Sequence, residues 1–265
     1  MSTKAKSQDK AQPKAVLNFP MMPKGGIGKS FATSLLAQHY KRKGKTTACF
    51  DTDPLNRTFG GYKALNVEIF ELGSTVDEIN PRSFDRLMDT VFSIEEDTNF
   101  VIDVGSGTYL PLISYMVENE VVDLLKASGH EIVFHAVLIG GQAYQDTIDG
   151  LAKLFKYFPE TKCVIWLNEF FGPVVEEVKD DKGKVKGVLP FEETQICQSN
   201  LDKIQSVIAL PEVRKETFGE DIKAMMREHL TFDEAVQNEA FSIMSRQRLK
   251  TVSKTIFDTM EMAQL

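Results

Sequence analysis

The segment "PKGGIGKS", residues 23–30, constrains the fold more than any other stretch. It follows the apolar run "AVLNFPM" (15–21). It precedes "KSFATSLLAQHYKRKG" (29–44), where Phe31, Leu35 and Leu36 recur at helical spacing and Gly44 is a natural stop. A strand entering a helix through such a loop aims backbone N–H groups and the positive end of the helix dipole at one point. Gly25, Gly26 and Gly28 have no Cβ, so an anion can approach the backbone closely. The pattern predicts a phosphate cradle, with Lys29 reaching the β- and γ-phosphates and the Ser30 hydroxyl ligating Mg²⁺.

The rest of the chain repeats the same rhythm. Strands are expected at 45–51, 99–105, 131–139, 162–168 and 203–210. Helices are expected at 81–92, near 110–118 and 120–128, at 141–158, and in a long final helix over about 239–262. Alternation of this kind predicts an α/β fold: a doubly wound, mostly parallel sheet with helices on both faces. One segment breaks the rhythm. "PVVEEVKDDKGKVKGVLP" (173–190) carries four acids and four lysines and reads as an inserted β-hairpin or loop.

Composition narrows the class. With 265 residues and 42% hydrophobic content, a sizeable core is available. A net charge of −7 argues against a globally basic nucleic-acid binder. The lysine-bearing segment 1–14 is expected to be a flexible basic arm. No run approaches the roughly 18 apolar residues of a membrane span, and no secretory-type apolar segment follows the arm, so a cytoplasmic chain is expected. Cys49, Cys163 and Cys197 form no CxxC pair, and those in apolar runs read as buried thiols. His130 and His135 lie five apart in a strand-like run and face opposite ways, so no zinc site is predicted.

Carboxylates mark two strand ends. "FDTDP" places Asp51 and Asp53 two residues apart. If the strand geometry continues, both face the phosphates. "FVIDVG" ends a buried strand on Asp103, an acid that is costly there unless paired or near a metal.

The general phosphate-loop pattern GxxxxGK[ST] fails at Pro23, which has no N–H. The variant KGGxGK[ST] is matched in full by Lys24–Ser30. On this motif the chain resembles the ParA/MinD-type P-loop ATPases, with their deviant Walker A loop. The resemblance implies that residues 25–31 (Gly25, Gly26, Ile27, Gly28, Lys29, Ser30 and Phe31) contact ATP. It implies that Lys24 reaches across a dimer interface to the partner's phosphates, stabilising charge as an arginine finger does. It gives Asp53 the attacking water, and Asp51 and Asp103 the Mg²⁺ site beside Ser30. Gly105 falls in a switch segment. Asn168, ending "WLN", and Pro211, in "LPEV", fall where the family contacts adenine.

"FDTDPLNRTFGGYKALNV", "GGQAYQDTIDG" and "SRQRLK" resemble the TraL-type members encoded in plasmid conjugative-transfer regions, from about residue 15 to the end. This implies an ATP-dependent homodimerisation switch that hydrolyses ATP slowly and assists conjugative DNA transfer, with a protein of the transfer apparatus as partner. The organisation expected is one P-loop domain over 15–265. Alternatives are a plasmid-partition ParA ATPase, a P-loop small-molecule kinase, and a non-hydrolysing nucleotide-bound scaffold. "KRKGK" (41–45) is the strongest cluster for nonspecific DNA, although it closes a helix, where cations meet the dipole. In the final helix Ile243, Leu249, Val252, Ile256 and Met260 fall largely on one side. Packing on the sheet is expected, with a membrane surface as the alternative.

Overall fold

The computed structural model describes residues 13–53, 56–73, 79–93 and 97–265. The basic arm expected over 1–14 lies outside them except for its last two residues. The strands are β1 (Ala15–Pro20), β2 (Thr47–Asp51), β3 (Glu68–Ile69), β4 (Thr98–Asp103), β5 (Glu131–Ile139), β6 (Lys162–Asn168), β7 (Val175–Lys179), β8 (Val185–Pro190) and β9 (Ile204–Leu210). The helices are α1 (Lys29–Arg42), α2 (Arg82–Phe92), α3 (Tyr109–Glu118), α4 (Val121–Ala127), α5 (Tyr144–Tyr157), α6 (Gln195–Gln198), α7 (Glu220–Arg227), α8 (Phe232–Gln237) and α9 (Ile243–Met262).

Seven strands form one sheet in the order β3-β2-β4-β1-β5-β6-β9, and every pairing in it is parallel. The central strands are apolar almost throughout because helices cover both faces; β4 is buried along its whole length. The chain winds from β1 to β2 on one side, then crosses back to β5 on the other. Strand order therefore reverses beside β1, and ligands of such sheets bind outside the carboxyl ends of the strands at that reversal. The glycine loop leaves β1 there. Pro23, which spoils the general motif, packs against α5. A Cβ on Gly150 would come within 2.7 Å of its Cδ, so that helix needs a glycine at the contact.

A polar thread runs through the core under the site. Asn18 on β1 donates to the Phe100 carbonyl at 3.0 Å, and its Oδ1 accepts from Tyr40 of α1 at 3.1 Å. His135 Nε2 lies 3.0 Å from the same oxygen, and Trp166 Nε1 lies 3.0 Å from His135 Nδ1. An indole N–H only donates, so Nδ1 accepts and Nε2 carries the proton. Burial pushes the His135 pKa down to about 3, which keeps the ring neutral. The thread satisfies buried polar groups across β4, β1, β5 and β6, and it ties α1 to them.

The segment 173–190 is a hairpin. β7 and β8 pair antiparallel as a separate two-stranded sheet. Asp180 Oδ1 accepts from the N–H groups of Lys182 and Lys184, and Gly183 takes the left-handed conformation that closes the turn. Its strands are exposed almost along their length.

The final helix packs against α7, α8 and β9 through Leu249, Val252, Ile256, Phe257 and Met260. Ile243 departs from the expected face: it is 75% exposed, because it begins the helix before the packed stretch. Among the described residues no helix is long and apolar enough to cross a membrane. The cluster at 41–45 is engaged within the chain. Lys41 bonds the Ala64 carbonyl, Arg42 pairs with Asp233 and lies over Phe257, Lys43 pairs with Glu261, and Lys45 lies over Tyr40. The Arg42 and Lys43 contacts dock the end of α1 on α8 and α9. All three cysteines are buried and free.

Candidate functional site

The glycine loop joins β1 to α1. Gly26 and Gly28 adopt φ of 73° and 92°, where a side chain is strained. Gly28 is the N-cap of α1 and supplies no side-chain cap, so the first N–H groups of this fourteen-residue helix gain no acceptor from it. A Cβ on Gly28 would lie 2.6 Å from Asn168 Nδ2, so the strand end of β6 rests directly on the loop.

The two lysines of the loop go different ways. Lys29 is buried, and its ammonium donates to the Lys24 carbonyl at 2.7 Å. Burial lowers its pKa, while Asp103 and Asp53 act in the opposite sense. The Lys24 ammonium is outside the cavity, 2.7 Å from Asp146 in the first turn of α5, in an ion pair about half exposed on both sides.

Asp103 ends β4 fully buried. Its Oδ2 accepts from Ser30 at 2.7 Å and its Oδ1 from Thr33 at 2.7 Å. Burial raises its pKa, and the two hydroxyl bonds oppose the rise. Thr33 was not anticipated. It lies one turn after Ser30 on the same face of α1, and that i,i+3 spacing is the signal that could have found it.

Asp51 and Asp53 do not share a face. β2 stops at Asp51, whose Oδ1 accepts the Asp53 N–H at 2.9 Å and whose Oδ2 accepts the Gly60 N–H at 2.7 Å. The Asp51 carboxylate thus turns the chain out of strand geometry and is itself fully buried. Burial, with Asp103 nearby, pushes its pKa up to about 7. Asp53 is carried forward into the cavity. Its carboxylate lies where a Cβ on Gly105 would be, with Cγ only 2.6 Å away, so that glycine makes room for it.

The cavity is about 480 Å³. One part of its lining is Gly25, Gly26, Gly28, Lys29, Ser30 and Asp53, with Ser106 beside Gly25. Another part is Asn168, Phe170, Leu210, Pro211 and Val213, with Ile222 and Met226 of α7 and Val252 and Ile256 of α9. Phe31 also lines it, and Ile27 is buried beneath the loop. The α7 and α9 walls were missed in the sequence, because nothing local marks a helix some 200 residues downstream as facing the loop. Asn168 joins the two parts. It donates to the Ile27 carbonyl at 2.9 Å and accepts from the Phe170 N–H at 3.3 Å, and these bonds hold the loop to β6.

The residues fit a magnesium–nucleotide ligand. Gly25, Gly26 and Gly28 line the cavity without side chains, which leaves the loop backbone open to an anion. Ser30 and Asp103 supply a hydroxyl and a carboxylate, the hard oxygen donors that magnesium takes. Among the described residues no group of three or more His, Cys, Asp or Glu gathers to hold a metal, so a magnesium ion here depends on phosphate oxygens as well.

The chain matches no protein-family model. Two Escherichia coli proteins, each called Protein TraL, are 40% identical to it over 250 residues, covering 94% of this chain and 98% of theirs. Solved structures similar to it include MinD from Pyrococcus horikoshii, complexed with Mg-ADP (17% identity, 91% of this chain and 95% of that one, TM-score 0.49). MinD from Aquifex aeolicus overlays with 12% identity, 94% and 98% coverage and a TM-score of 0.43. A plasmid partition protein from Borrelia burgdorferi gives 11%, 83% and 96%, and 0.41. The 40% identity, sustained over 94% of its length, is the decisive likeness, and by it the chain belongs to the TraL family.

Proposed function

We propose that this chain is an ATPase whose bound nucleotide sets its oligomeric state: ATP joins two copies, and hydrolysis to ADP and phosphate releases them. The observation that carries the reading is the divergence of the two loop lysines. Lys29 is held within its own loop, while Lys24 is directed out of it to a surface ion pair. An exposed ion pair is worth about 0–1 kcal/mol, so a partner's phosphates can readily draw Lys24 away from Asp146.

In this reading the loop N–H groups and Lys29 bind the phosphates, and Ser30 and Asp103 would hold magnesium, with Thr33 orienting the Asp103 carboxylate; Asp51, expected at the magnesium, has both carboxylate oxygens engaged by the Asp53 and Gly60 N–H groups and fixes the backbone instead. Magnesium, when bound, neutralises charge on the phosphate oxygens. Asp53, packed on Gly105, accepts a hydrogen bond from the water that attacks the terminal phosphorus. Lys24 of the second copy stabilises the negative charge that develops there. The adenine lies in the cavity near Asn168 and Pro211. Family membership supports a role in bacterial conjugative DNA transfer, in the cytoplasm, with a component of the transfer apparatus as partner.

The test is molar mass in solution by light scattering, with Mg-ADP and with Mg-ATP, for wild type and Asp53→Ala. The expected result is a dimer only with ATP, persisting in Asp53→Ala. A monomer in every condition, with ATP binding demonstrated, would overturn the switch and favour a monomeric kinase or scaffold.

A further inference from the structure

The stretch "TFGGY" (58–62) follows the Asp51–Asp53 turn and takes no part in the glycine loop. Asn56 and Thr58 nevertheless line the same cavity as Asp53. A short run of hydrogen bonds leads from them to the Asp53 carboxylate. The Asn56 N–H donates to Asp53 Oδ1 at 3.0 Å, and the Thr58 N–H donates to the Asn56 carbonyl at 2.7 Å. The run ends on a residue 171 positions downstream: the Thr58 carbonyl lies 3.0 Å from Nδ1 of His229. A carbonyl only accepts, so Nδ1 carries the proton and donates it.

We propose that His229 is a positioning residue for hydrolysis: by holding the Thr58 carbonyl it fixes the Asn56 N–H that orients the Asp53 carboxylate. This rests on the role given to Asp53 above and adds to it a residue from the far part of the chain. The geometry around the ring is particular. His229 follows α7, donates its own N–H to the Met226 carbonyl at 3.1 Å, and takes a left-handed φ of 50°, uncommon for a residue with a Cβ. A Cβ on Gly61 would come within 2.4 Å of both Cγ and Nδ1 of the ring, so the ring sits directly on that glycine. The Tyr62 ring meets it edge-on, with centroids 5.7 Å apart. The neighbouring Gly60 is held separately, its N–H donating to Asp51 Oδ2 at 2.7 Å. Residues 58–61 are therefore clamped from the sheet by Asp51 and from the end of α7 by His229. A carboxylate that must meet a water in one orientation gains from such a clamp, because small misplacements of a catalytic group are costly in rate.

The experiment replaces His229 in the full chain and reads two things. One is amide hydrogen exchange of Asn56 and Thr58 by NMR in the nucleotide-free protein. The other is the rate of ATP hydrolysis at saturating Mg-ATP, with ATP affinity measured by calorimetry. His229→Gly permits the left-handed backbone and removes the ring. Exchange is expected to rise about fivefold and hydrolysis to fall about tenfold, with ATP affinity within about twofold of wild type. His229→Asn keeps the left-handed preference and a side-chain N–H one bond beyond Cγ, as Nδ1 is, and is expected to restore both exchange and rate. Gly61→Ala displaces the ring with His229 intact and should reproduce the glycine variant, which guards against an effect of the backbone at 229 alone. Unchanged exchange in His229→Gly overturns the proposal. So does raised exchange with an unchanged rate, or a loss of ATP affinity as large as the loss of rate, which would make His229 a general support of the fold. Asp53→Ala that hydrolyses ATP at the wild-type rate would instead fail the Asp53 reading, and this proposal with it, whatever the exchange shows.

Discussion

Two parts of one cavity's lining are built by opposite strategies. The glycine-loop part comes mainly from eight consecutive residues and uses backbone: positive-φ glycines, a helix start and one buried ammonium. The apolar part comes from four separate stretches, around 168–170, 210–213, 222–226 and 252–256, and uses mainly apolar side chains. An anion can be met by N–H groups that a short segment supplies alone. A neutral ring offers little charge to grip and must be enclosed, and enclosure needs walls from several directions. The contrast predicts that damage to the loop affects all ligands, while damage to the apolar part affects only ligands with a base.

Three variants or conditions test that contrast, beginning with the largest effect. Lys29→Ala removes a buried ammonium that phosphates would meet, and should weaken both ATP and inorganic tripolyphosphate, which has no base, by more than about 100-fold, about 3 kcal/mol. Calorimetry with both ligands reads it, and a loss confined to ATP would break the division between the two parts.

Acid should loosen the whole site, because the Asn18–His135–Trp166 thread joins β1 and β6, the strands from which the glycine loop and Asn168 follow. The His135 pKa is lowered to about 3, against 6.5 for the free side chain. Between these values the unfolded chain binds the proton and the folded chain does not. Stability is therefore intact above pH 6.5 and falls as pH drops toward 3. At pH 4.5 this group alone removes about 3 kcal/mol. Urea melts of wild type and His135→Gln across this range check it, since the glutamine variant should show a shallower decline. Equal slopes would remove His135 from the account.

Gly28→Ala acts where the two parts meet. Its Cβ would strain a left-handed residue and strike Asn168, breaking the tie to Ile27. The expected cost is about 2 kcal/mol in a urea melt, with weaker binding of both ligands. A neutral result would mean that β6 and the loop are coupled less closely than their contact suggests.

Much of the fold was legible because parallel strands buried on both faces read as apolar runs, and helices between them show their period. The two-residue β3 carried no such signal. "DDKGK" marked a turn, and the open choice between a hairpin and a loop resolved into a hairpin through local Asp180 hydrogen bonds. Of Asp51 and Asp53, expected side by side, Asp53 lines the cavity with the loop while Asp51 is buried at the strand end. The expectation extrapolated strand alternation, whereas the Asp51 side chain accepts from the Asp53 and Gly60 N–H groups where the strand stops.

The sequence by itself determined the phosphate loop, the strand that feeds it and the helix that leaves it, because backbone conformation and dipole are set within a few residues. It also determined that acids stand at strand ends. Only the tertiary structure decided where those acids point, that Thr33 and Ser30 divide the Asp103 carboxylate between them, and that Asn168 ties β6 to the loop. It alone decided that Phe170, α7 and α9 line the same cavity as the loop. These relations join residues up to more than 200 positions apart, and sheet order and helix packing, rather than local pattern, bring such residues together.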